Sequence, residues 1–92
     1  MRKRYASHYL RLGDQLMRYP LLEMEGEELV GIDRFEREVA GTIFVDGTII
    51  LRHSDYPQTL GLADLDCVEI DQSSLQVFLS IHKANVEVVL PR

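Results

Sequence analysis

Tryptophan is absent from this 92-residue chain, and cysteine occurs once, at Cys67. A lone cysteine excludes an internal disulfide and suits a reducing compartment. No segment approaches the ~20 consecutive apolar residues of a membrane-spanning helix. The basic start, MRKRYASHYLRLGDQ, holds no apolar run of signal-peptide length. The expectation is a soluble cytoplasmic protein with no membrane partner. Phosphate-cradling loops, dinucleotide glycine patterns, nucleophile elbows and zinc-knuckle spacings are all missing. So are repeats, linkers and low-complexity segments.

What is present points to one globular domain, residues 1–92. Apolar residues make up 46% of the chain, which argues against disorder. With three Phe and four Tyr, the core must be built from Leu, Ile and Val. A chain this short buries roughly 60–65% of the surface it exposes when unfolded. The net charge of −5 is unevenly spread, with +4 over residues 1–22, −5 over 23–38 and −4 over 39–92. The RKR start alone suggests a nucleic-acid contact, but binding needs several phosphate contacts on one face, and the acidic remainder of the chain would repel a polyanion. Nucleic acid is not an expected partner.

The dominant period is two, the signature of half-buried strands. In LQVFLSIH, Leu75, Val77, Leu79 and Ile81 point one way, and Gln76, Phe78, Ser80 and His82 the other. In VEVVL, Val86, Val88 and Leu90 share a face. With the short polar link HKAN, residues 75–90 read as a hairpin. The stretch DCVEID before it makes a three-stranded antiparallel meander. Upstream, YASHYLRL alternates, GDQ breaks it, and EGEE turns LMRYPLLEM into LVGIDRF. Pro20 lacks a ladder donor, so LMRYPLLEM is expected at an edge or a bulge. Asp46-Gly47 carries the chain's strongest hairpin signal. Short helical turns are allowed over DRFEREVAG, with Asp33 as N-cap and Gly41 at C′, and over YPQTLGLADL. The fold class is all-β and mainly antiparallel, a small sandwich or partly open barrel of about seven strands with at most one or two short helical turns.

Candidate chemistry is sparse. Of His8, His53 and His82, only His53 has a carboxylate at useful spacing, Asp55, since residues two apart on a strand share a face. A metal-dependent enzyme would use His53 and Asp55, with His8 or His82 joining in space. A solvated strand end explains the same residues. Cys67 lies among acids, which oppose a reactive thiolate, so core packing is its expected role. The acidic stretch EMEGEELVGIDRFERE lacks a calcium-loop ladder and reads as a charged turn guarding a strand edge.

Two stretches together resemble a known family. TIFVDGTIILRHS is similar to the segment with which amidohydrolases enter their catalytic barrel, an apolar strand, a Pro-Gly turn and Ile-Asp-x-His-x-His. Gly47 and Ile49 match the family's glycine and isoleucine, Asp46 replaces the proline, and the family's Asp falls on Ile50. Its two metal-binding histidines fall on Arg52 and Ser54, so both ligands are absent. GLADLDCVEID resembles the Gly-x-x-Ala-Asp-Leu-Val-Val-Leu-Asp signature near the family's C-terminus, with Ala63, Asp64 and Leu65 matching directly. In that family the terminal strands combine into a composite β-domain beside the barrel. The resemblance implies that domain with the barrel removed, the join falling in RHSDYPQ, residues 52–58.

The expected function is therefore a non-catalytic structural or interaction module without cofactor or metal. A homo-oligomer, favoured as a dimer, and a further protein partner are expected. Met17, Tyr19, Leu21 and Met24 on LMRYPLLEM are the expected interface. An accessory subunit of a larger enzyme is the third alternative.

Overall fold

A computed structural model of the chain describes residues 2–37, 40–57, 63, 66–82 and 85–91. They form nine strands and one helix: β1 (Arg2–Ala6), β2 (Tyr9–Leu12), β3 (Gln15–Arg18), β4 (Pro20–Glu25), β5 (Glu28–Arg34), β6 (Thr42–Phe44), β7 (Thr48–Arg52), β8 (Val68–Glu69), α1 (Gln72–His82) and β9 (Glu87–Val89). Two sheets result, ordered β5-β4-β1-β6 and β8-β3-β2-β7-β9. The domain is mostly β, as the alternation implies. The sheets are mixed, because β1–β6, β2–β7 and β3–β8 pair in parallel.

A kinked hairpin organises both sheets. Gly13 and Asp14 close it, with positive φ at Gly13 only (+59°), the type II′ pattern that suits strand twist. From Leu12↔Gln15 through Tyr9↔Arg18 the pairs lie in the second sheet. From Ala6↔Leu21 to Arg2↔Glu25 they continue, in the same register, in the first. The bend falls at Ser7–His8 on one arm and Tyr19–Pro20 on the other. Strands that switch sheets through such bends make the corners of sandwiches. LMRYPLLEM is thus not one edge strand. Tyr19 breaks it into β3 and β4, each paired on both sides, and Pro20 opens β4 where a missing donor costs least.

The third strand follows the same bend, which corrects the Asp46-Gly47 hairpin. β6 runs beside β1 and β7 beside β2, so Val45–Gly47 carries the chain between sheets. Gly47, at φ +115°, faces Pro91 so closely that a Cβ would lie 3.0 Å from the Pro91 Cβ.

The second correction is α1. The expected 75–90 hairpin and the antiparallel meander are replaced by an eleven-residue helix and by β9, which pairs antiparallel with β7. The stretch DQSS is a helix start. Asp71 accepts the Ser74 N–H at 2.9 Å, the N-cap bond. Leu75, Phe78 and Leu79 are buried at helical spacing, while Val77 and Ile81 are 60% and 69% exposed. They join Leu10, Leu12, Met17, Leu22, Met24, Leu29, Ile32, Ile49 and Leu51 in one aliphatic core. Gln76 donates to the Ile32 carbonyl at 3.0 Å and Gln72 to Asp33 at 2.6 Å, tying the helix to β5, an edge strand. In DRFEREVAG, β5 runs on through Arg34 and residues 35–37 are irregular, whereas residues 38–39 lie outside the description, as does most of YPQTLGLADL.

Candidate functional site

Arg52, the last residue of β7, and the three residues after it form one wall of an open recess of about 620 Å³, lined by Arg52, His53, Ser54, Asp55, His82, Asn85 and Glu87. Alternation along β7 points Ile49 and Leu51 into the core, and His53 continues on that side. Its ring sits at centroid distances of 5.6 Å from Tyr56, 5.6 Å from Phe78 and 4.7 Å from His82. The strand then ends in a turn, with the Tyr56 N–H donating to the His53 carbonyl at 3.0 Å. This turn defeats the same-face expectation for His53 and Asp55, because the strand ends at Arg52 and the chain turns at Ser54–Asp55. What reaches His53 is the Asp55 backbone N–H, which donates to Nδ1 at 3.1 Å. The neutral ring therefore carries its proton on Nε2. That Nε2 is buried and, among the described residues, has no hydrogen-bond partner.

His82 is the histidine that joins His53, brought there by the last turn of α1. His8 does not, lying at the sheet-switching bend among Tyr9, Tyr19 and Phe44. Among the described residues, no group of three or more His, Cys, Asp or Glu side chains could hold a metal ion. The Arg52–Glu87 pair, 3.6 Å apart and largely exposed, closes the rim and contributes little energy. The recess is polar and open, unlike the enclosed, mostly apolar pockets that bury small ligands. Cys67 lies in the turn before β8 and is half-buried, with its Sγ 3.6 Å from the Ala63 carbonyl, so it is not the core residue expected.

A second surface gathers aromatic rings at the bend. The His8 ring lies 6.3 Å from Tyr19 and 5.2 Å from Phe44, and the Arg18 guanidinium lies 5.9 Å from the Tyr9 centroid. Tyr19 has φ +52°, unusual for a bulky side chain. It is held there from both sides: its N–H donates to the His8 carbonyl at 2.8 Å, and its carbonyl accepts the Phe35 N–H at 2.7 Å. Beside it, β6 forms the outer edge of the first sheet, with Ile43 46% and Phe44 52% exposed on opposite faces.

The expected interface residues divide accordingly. Met17 and Met24 are 3% and 7% exposed core residues, unavailable to a partner, and Leu21 is half-buried. Tyr19 alone is displayed. Ile43, Phe44 and His8 lie outside that expected set, although the three adjacent apolar residues of TIFV signal a strand apolar on both faces. No known protein family, curated protein or solved structure matches this chain.

Proposed function

We propose that this chain is a non-catalytic β-module that works by protein interaction, assembling as a dimer in a reducing, cytoplasmic setting. The observation that carries the reading is the exposed apolar edge at β6 beside the aromatic bend. Exposed, apolar, unpaired edge strands act as templates for association. Strained backbone of the kind held at Tyr19 concentrates at functional surfaces. The same proposal keeps the kinship to the amidohydrolase composite domain. It fits a two-sheet domain in which the family's ligand positions are occupied by Arg52 and Ser54, both exposed at the strand end.

A second reading, a metal-dependent enzyme using His53 and Asp55, rests on the 4.7 Å approach of His53 to His82. Native mass spectrometry of the untagged chain, with and without added zinc, separates the two. A metal-free dimer is the expected spectrum. A monomer at every concentration overturns the interaction reading, and stoichiometric zinc lost in His53→Ala establishes the second.

A further inference from the structure

We propose that the partner at this surface is a second copy of the chain, joined edge to edge through β6 across a two-fold axis. The inference rests on the interaction reading above and names its geometry. The Val45 N–H donates to the Ala6 carbonyl at 2.8 Å, so Val45 faces β1. Backbone groups alternate along a strand, so Ile43 also faces β1, while the N–H and C=O groups of Thr42 and Phe44 face outward. Among the described residues, β6 has a strand neighbour on one side only.

These outward groups form a self-complementary set. With two copies antiparallel, Thr42 pairs with Phe44 of the other chain and Phe44 with its Thr42, making four backbone hydrogen bonds. Ile43 then stands opposite its own copy in the close, non-hydrogen-bonded position, where Cα atoms are about 4.5 Å apart. The result is one sheet of eight strands running through both copies.

Charge favours the second copy in this orientation. Arg4, half-exposed and only loosely paired to Glu23 at 4.0 Å, lies beside Thr42 at one end of the edge, and Asp46 stands two residues beyond Phe44 at the other. Antiparallel pairing brings the cationic end of each edge towards the acidic end of its mate, whereas a parallel arrangement sets like against like. Between those ends β6 carries no charge that would select a foreign strand. The other edges are poorer templates. β5 is tied to α1 through Gln76, β8 spans two residues, and β9 carries the exposed charge of Glu87, which guards an edge against strand addition. The area is modest. Half-exposed Phe44 and Tyr19 each contribute on the order of 100 Å², against about 800 Å² per partner in a standard interface. A weak, micromolar-range dimer is expected.

The test is oxidative cross-linking of the full chain carrying Ile43→Cys with Cys67→Ser, alongside native mass spectrometry. Cα separations of about 4.4–6.8 Å accept a disulfide, so a covalent dimer should form. Val77→Cys, on the outer face of α1, should form none. Ile43→Lys should shift the folded protein to monomer, with its circular dichroism unchanged. A dimer that persists in Ile43→Lys, or that resists cross-linking through Cys at position 43, overturns the β6 edge but leaves the interaction reading standing. A wild-type chain that is monomeric throughout removes both.

Discussion

The residues of α1 offer a sharp test, because a strand and a helix over 75–82 bury different side chains. In the helix, Leu75 is fully buried and Phe78 is 7% exposed, while Val77 and Ile81 project outward. Truncating a buried Leu to Ala costs about 2–5 kcal/mol, and a buried Phe about 3–5 kcal/mol. A domain of 92 residues has roughly 5–14 kcal/mol in total, at 0.05–0.15 per residue. Leu75→Ala should therefore stay folded but lose a large share of its stability. At about 4–8 °C per kcal/mol, its melting temperature should fall by at least 8 °C or so. Val77→Ala and Ile81→Ala should stay within about 0.5 kcal/mol of wild type, as surface changes do. Ala's better helix propensity works in their favour. Urea denaturation followed by circular dichroism reads all four variants. Large losses in Val77→Ala and Ile81→Ala with a neutral Phe78→Ala would refute the helical register.

Three further outcomes follow from local geometry. Gly47→Ala should cost about 1–3 kcal/mol in a urea titration, since φ +115° is strained for any side chain and the new Cβ meets Pro91. At Tyr19, Val should be about 1–2 kcal/mol less stable than Gly, because a β-branched residue bears the left-handed conformation worst. The third concerns acid. The Ser74 hydroxyl and then its backbone N–H bond to Asp71 and hold its carboxyl below the ordinary value. A depressed folded pKa gives stability that is present above the unfolded value and lost as pH falls through the folded one. Asp71→Asn keeps the cap without the titration, so its urea midpoint should fall less steeply than wild type below about pH 4.

Strand content was legible because alternation and hairpin turns are local. Gly13-Asp14 and Gly26-Glu27 close hairpins as their sequences suggest, with positive φ at each glycine. The helix was concealed by coincidence. Leu75, Val77, Leu79 and Ile81 alternate as a strand would, yet Leu75, Phe78 and Leu79 also fit a helical stripe, and Asp71 with Ser74 supplies the cap. The sheet-switching bends were not legible at all. Whether Asp46-Gly47 folds β7 back on β6 or passes it to another sheet depends on β1 and β2, some forty residues away, offering two parallel docking sites. At the candidate site, the meeting of His53 and His82 needed the helix, and the loss of Asp55 from the shared face needed the turn.

The kinked hairpin also bears on how the domain comes apart. In most two-layered β domains the layers are joined by loops, so one layer can loosen while the other holds. Here β1–β2 and β3–β4 each belong to both layers, and β6–β7 runs beside them across the same bend. Opening one sheet pulls directly on the register of the other. The slowest-exchanging backbone amides should therefore be shared between the two sheets and should exchange together, as a single cooperative unit.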